Sequence, residues 1–169
     1  TGSWRTVSVT VDRSGGGPVS REFEDRLRAH LEPYRLAGHD LEIAPPRPVA
    51  LEIAMTVRVK PGYFAGQVRQ ALLAVFSNRL LPDGRRGVFH PDNLTFGQTI
   101  YLSPLYAAAQ AVDGVESVDI TLFQRRDRPG REALDAGRLT LSRLEIARLD
   151  NDPNFRERGV FGLTMEDGR

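Results

Sequence analysis

The chain contains no cysteine, a single tryptophan, and a single lysine, Lys60, among its 23 basic residues. Without cysteine there is neither a disulfide framework nor a cysteine-ligated zinc site, and a reducing compartment is the natural setting. No apolar run approaches the roughly 20 residues needed to cross a bilayer. The opening TGSW has no signal-peptide pattern and no initiating methionine, so it reads as an artificial boundary. An excess of one charge is also missing, since 23 basic and 22 acidic residues leave +1. That balance argues against a nucleic-acid binder working by counterion release. Arginine carries almost the whole basic side, a bias that a GC-rich genome produces with no function attached.

Chemistry-bearing constellations are equally scarce. His30, His39 and His90 stand far apart, none at metal-ligand spacing from another histidine or a carboxylate. No Ser/His/Asp or Cys/His arrangement can be assembled. Asp150, Asn151 and Asp152 lack the alternate ligands and terminal glutamate of a calcium loop and read as a solvated turn. The sequence therefore offers no catalytic, cofactor-binding or metal-ligating set. The one alternative is Gly15, Gly16 and Gly17 beside Arg13, between a strand and a helix start, where successive amides could hold an anion. This would be an acylphosphatase-like phosphohydrolase site, and Asn78 and Asn93 are the carboxamides available to complete it.

What is present is patterning. Val7, Val9 and Val11 alternate with Thr6, Ser8 and Thr10 as a first strand. Ser20 caps a helix carrying Phe23, Leu27, Leu31 and Tyr34 on one face, which Pro33 and Gly38 end. Asp40 to Ala44 is a short strand confined to a sheet edge by Pro45, Pro46 and Pro48. Val49, Leu51, Ile53, Met55, Val57 and Val59 alternate through the longest strand, expected to be central, whose other face has no aromatics for stacking RNA bases. A second helix places Phe64, Val68, Leu72, Val75, Phe76 and Leu80 on its apolar face. A loop of about twenty residues follows, with Phe89, Leu94 and Phe96 as its anchors. Ser103 then reads as an N-cap with Pro104 at the first helical position, Gly114 as the stop, and Val118, Ile120 and Leu122 as a further strand.

This order predicts an α+β fold over residues 1–126, a ferredoxin-like split βαβ antiparallel sheet with its helices on one face and the first and third strands central. Residues 127–169 change texture. RDRPGREALDAGR is polar and breaker-rich, and two strand-like runs, Leu144 to Leu149 and Val160 to Met165, flank NDPNFRERG. They predict a C-terminal β-rich arm with a short β-hairpin, an assembly element able to self-associate or to dock on a neighbour. The bland alternative is that Leu139, Leu141, Ile146 and Leu149 complete the domain's own core.

The run PDNLTFGQTIYLSPLYAAAQAVDGVESV resembles the signature of the baseplate J-like family, the baseplate assembly proteins of contractile phage tails and related injection systems. VDRSGGGPVSREFEDRLRAHLEPYRLAGHDLEI, VKPGY and EIARLDNDP fit the same pattern in the same order. The resemblance implies the C-terminal part of a longer protein and a structural, non-enzymatic role. Its partners would be other wedge, hub or sheath-proximal subunits, with no nucleic acid, membrane, small-molecule substrate or cofactor. Assembly would be cytoplasmic and the destination a phage-tail-like particle. The interface candidates are Glu145, Arg148, Asp150, Asn151, Asp152 and Phe155, and the structural anchors Phe89, Phe96, Ser103 and Gly114.

Overall fold

The computed structural model describes residues 5–167, so the opening TGSW lies outside the described residues. The chain divides into two compact units, Thr1–Arg47 and Pro48–Arg169. This division falls some eighty residues before the composition break at Asp127.

In the first unit, β1 (Arg5–Thr10) leads through a tight turn at Ser14–Gly16 into α1 (Arg21–Leu31), then through a second turn at Glu32–Tyr34 into β2 (His39–Ala44). Ser20 caps α1 as its sequence position suggests, its Oγ accepting from the Phe23 amide at 3.3 Å. The two strands pair in parallel, from Arg5 opposite His39 to Thr10 opposite Ala44. A helical crossover returns the chain in the same direction, and parallel strands need such a crossover. The expected single antiparallel sheet of ferredoxin type is therefore not formed: β1 takes β2 as its neighbour and belongs to a separate two-stranded sheet. Among the described residues of this unit Ile43 is the only large apolar side chain that is buried, and α1 buries none.

The second unit is built around β3 (Arg47–Val59), whose inward residues Val49 to Val59 are each at most 4% exposed, in the phase the alternation predicts. After α2 (Ala65–Val75) the loop returns through β4 (Ile100–Tyr101) to α3 (Leu102–Gln110) and β5 (Val115–Arg125). β5 pairs antiparallel with β3 from Leu51 opposite Arg125 to Val59 opposite Val115, with bulges at Ala54/Met55 and Arg58/Val59. The chain continues through α4 (Glu132–Ala136), β6 (Arg138–Leu139), β7 (Glu145–Arg148) and β8 (Val160–Asp167). β8 runs parallel to β3 over eight residue pairs, from Glu52 opposite Val160 to Val59 opposite Asp167, and β7 also joins β3. β3 is thus central, as expected, but its neighbours are β5, β7 and β8. Val68 and Leu72 of α2, and Leu105 and Ala109 of α3, pack on the sheet's apolar side chains.

Residues 127–169 are not a peripheral hairpin. Leu139, Ala147, Leu149 and Phe161 belong to the main core, and the Phe161 ring stacks on Phe76 at 4.9 Å. The reason is geometric: a long central strand with one partner presents a row of unpaired amides and carbonyls on its other edge. Two short strands with two or three inward residues each satisfy that edge and bury their apolar groups together.

The loop before α3 is held partly as expected. Phe89 is buried and tilted against Phe76 at 6.4 Å, its amide donating to Ser77 O, while the Asn93 side chain donates to Gly87 O at 2.8 Å. Leu94 also packs against the core as expected, whereas Phe96 is only half-buried and does not join it. Gly97 follows immediately, its amide bonded to Glu145 O at 2.9 Å with φ at +63°.

Ser103 is not the N-cap of α3. The cap is Tyr101, with no side-chain bond, because the Leu102 amide already donates to Gly137 O at 3.0 Å in continuation of the β4–β6 pairing. Pro104 falls third in the helix, where its amide would have had no intrahelical partner. Gly114 follows the helix end at Gln110 and sits at φ +87°, its carbonyl accepting from the Lys60 amide at 2.8 Å. A Cβ there would lie 2.5 Å from Tyr63 Cδ1.

Candidate interaction surface

Of the six interface candidates, five hold the segment they belong to. Glu145 opens β7 and accepts both Arg125 guanidinium nitrogens, Nη1 at 2.9 Å and Nη2 at 2.8 Å, together with the Ser142 amide at 2.7 Å. Arg125 ends β5 and also donates to both oxygens of Asp127, at 2.8 and 2.7 Å. One guanidinium therefore carries two carboxylates and ties the end of β5 to the start of β7. The hydrogen bonds from Arg125, followed by that from Ser142, hold Glu145 down from 4.5 to about 2. Asp127 is lowered by Arg125, and Arg125 is raised by Asp127 and then Glu145. Bidentate pairing of this kind fixes geometry as well as charge. Glu145 is committed to the fold.

Beyond β7 the chain enters the NDPNFRERG loop. Arg148 donates to Asp150 Oδ2 at 3.0 and 2.5 Å, and Asp150 Oδ1 accepts from Asn78 Nδ2 at 3.2 Å, tying the loop base to the chain just after α2. Asn151 stands in the left-handed region at φ +50°, its amide donating to Gly159 O and its Oδ1 accepting from the Phe161 amide at 2.9 Å. Gly159 closes the loop at φ +106°, where a Cβ would come within 2.8 Å of Arg148 O and Leu149 Cα. Asp152 Oδ1 accepts from the Asn154 amide at 2.9 Å, making the tight turn that its residue type favours. Phe155 is displayed. Its ring is 43% exposed and the Arg158 guanidinium lies over it, 4.1 Å from the centroid.

Sequence reasoning singled out this segment and missed the residues that organise it. Arg125, Asn78, Arg158 and Gly159 lie outside EIARLDNDP, and three of them meet it only through the fold. The signal for Gly159 was available, since a glycine directly before a strand often marks a backbone turned into a conformation other residues avoid. The two aspartates do not converge: Asp150 is tied to Arg148 and Asn78, and Asp152 to its own turn.

The glycine turn is occupied by its own arginine. Arg13 Nη1 donates to Pro18 O at 2.7 Å, and its guanidinium carbon lies 4.8 Å from the Phe23 ring centroid. Gly15 and Gly16 supply positive φ for the turn. The carboxamides proposed to complete an anion site are engaged elsewhere, Asn78 with Asp150 and Asn93 with Gly87 O.

Against known families, residues 1–44 match the model of the Baseplate J-like central domain. The match ends at the last residue of β2 and so coincides with the β1–α1–β2 unit. It supports the baseplate J-like family and suggests a structural role in a phage baseplate. It also corrects one expectation: the chain is not confined to the family's C-terminal region, because the matched part is a central domain at the chain's beginning. No curated protein matches the chain.

Proposed function

We propose that this chain is a structural subunit of the baseplate wedge in a contractile injection system, acting through protein–protein contacts and without catalytic activity. The observation that carries this reading is the match of residues 1–44 to a baseplate J-like central domain. One feature agrees with it: the loop after β7 presents the Phe155 ring to solvent, with the Arg158 guanidinium over it. Residues 127–169 are then an assembly element through what they display, while their strands serve the core. Partners are neighbouring wedge, hub or sheath-proximal subunits, met during assembly in the cytoplasm and kept in the finished particle.

The test is affinity recovery of the tagged chain from its native producer, followed by mass spectrometry. Sheath, tube or spike proteins are expected in the recovered complex. Their absence, together with acyl-phosphate turnover that Arg13→Ala abolishes, would replace this reading with a phosphohydrolase.

A further inference from the structure

The outer edge of the main sheet carries backbone groups that the fold leaves open. Among the described residues β8 has β3 as its one strand partner, so its other side faces outward. Two hydrogen bonds fix which residues turn that way. The Phe161 amide donates to Asn151 Oδ1 at 2.9 Å, and the Leu163 carbonyl accepts from Arg69 Nη1 at 2.6 Å, both away from β3. The amide and carbonyl of one strand residue point to the same side, and the side alternates along the chain, so Met165 shares this phase. The Leu163 amide and both Met165 groups have no hydrogen-bond partner on that side among the described residues.

Such an edge is a template for another strand, because only an extended backbone matches its alternating donors and acceptors. Side-chain polarity narrows the choice of strand. On the core face Leu163 and Met165 stay only partly buried, whereas Thr164 and Glu166 on the opposite face are exposed. The incoming strand must therefore be apolar on one face and polar on the other, in the phase of β8. A second β8 meets this requirement. Turned about a two-fold axis at Thr164, it sets Leu163 opposite the other copy's Met165, where the two exchange both backbone bonds. Glu166 then falls opposite Gly162, which has no side chain, and keeps its own Arg58 at 3.7 Å, so like charges are not opposed.

Building on the reading of this chain as a subunit that works through protein contacts, we propose that β8 is a self-association edge with Arg69 as its latch. It pairs antiparallel with β8 of a second copy and joins the two main sheets into one. Arg69 stands exposed on α2, and its guanidinium occupies the Leu163 carbonyl that the pairing needs for the other copy's Met165 amide. Edges blunted by a charged side chain resist pairing, so the contact is weak until Arg69 moves off. The same edge is used by both copies, so the contact is isologous and stops at the dimer. One strand pair is also a small interface, of the class that associates weakly.

Sedimentation of the 169-residue chain at rising concentration tests this, with disulfide trapping to read the register. A weak monomer–dimer equilibrium without larger species is expected, tightened about tenfold by Arg69→Ala, which frees the carbonyl in both copies. Met165→Pro removes an edge amide without touching the β3 ladder and should abolish the dimer. Thr164→Lys, at an exposed position, sets two like charges face to face and should do the same. The chain has no cysteine, so Thr164→Cys forms disulfides only between copies. Opposed residues at such a site lie about 4.5 Å apart between Cα atoms, within disulfide reach. Two copies of Glu166→Cys would instead be offset by about 14 Å along the strands. Oxidation should therefore give dimers from Thr164→Cys and not from Glu166→Cys, with circular dichroism confirming that each variant is folded. No dimer even with Arg69→Ala, association that Arg69→Ala leaves unchanged, or equal trapping at the two positions would each overturn the proposal. A chain without this dimer that still recovers sheath, tube or spike proteins would overturn this inference and leave the baseplate role standing.

Discussion

Phe161→Ala measures how far the last third of the chain belongs to the domain. Phe161 lies in β8, opposite Ile53 of β3, is 5% exposed, and stacks on Phe76 with centroids 4.9 Å apart and planes inclined by 23°. Truncating a buried phenylalanine costs about 3–5 kcal/mol. The stacked pair accounts for about 0.5–1.5 kcal/mol beyond simple area burial. β8 is an outer strand, where the surroundings collapse and hydrate more readily than at the centre of β3, so the lower end, about 3 kcal/mol, is the expected loss. For a unit of this size that corresponds to a Tm lower by roughly 10 °C. Urea unfolding followed by fluorescence and circular dichroism reads the free energy, and a cycle with Phe76→Leu should return a coupling of about 0.5–1.5 kcal/mol. Hydrogen exchange should show the β3 amides from Glu52 to Val59 losing protection, since β8 runs beside them. Ending the chain at Arg126 is the stronger form of the same perturbation and should give a molten or insoluble product. A loss under about 1 kcal/mol with unchanged exchange in β3, or a cooperative domain from the truncated chain, would refute the integration of residues 127–169.

Other perturbations separate structural roles. Glu145→Gln removes a carboxylate that accepts two guanidinium nitrogens and an amide, and should cost about 1.5–3 kcal/mol at neutral pH. Because its folded pKa is depressed from 4.5 to about 2, the stabilisation from Glu145 is full above about pH 4.5 and fades as pH falls toward 2. The wild-type and variant unfolding curves should therefore converge in acid; a constant difference down to the lowest pH would show that charge is not the cause. Gly114→Ala places a methyl 2.5 Å from Tyr63 Cδ1 at φ +87°, and should cost about 2 kcal/mol or more in a thermal melt; a neutral result would mean that this turn relaxes freely. The two loop phenylalanines should part company in denaturation, with Phe89→Ala costing about 3–5 kcal/mol and Phe96→Ala less than about 1 kcal/mol. Equal losses would put Phe96 back in the core.

Much of the local structure could be read directly. The alternation from Val49 to Val59 predicted both the strand and the face it buries, because a period of two has only two phases and only one is apolar. Ser20 sits where a helix-start signal places it and bonds as that signal requires. Phe89 and Gly114 were found for the same kind of reason: a long loop needs an apolar anchor, and a sharp turn after a helix favours a residue without Cβ. Ser103 and Phe96 misled because their local signals were correct but lost to tertiary partners. Gly137 O reached the Leu102 amide first, and of the neighbouring anchors Leu94 packs on the core while Phe96 does not.

The sequence alone determined the α+β class, the placement of most long elements, the central position of β3 and the segment that carries the exposed aromatic ring. These follow from periodicity, capping chemistry and turn residues, which act over a few neighbours. Only the tertiary structure decided that β1 pairs with β2 in parallel, that β8 lies along β3, and that five of six candidate interface residues are hydrogen-bonded within the fold. Strand partnership depends on which edge is open when the chain returns, and the neutralisation of Glu145 by Arg125 joins residues twenty apart in sequence. Neither is written in a local pattern, since hydrogen-bonding edges and charges are common to many arrangements and the surrounding fold selects one.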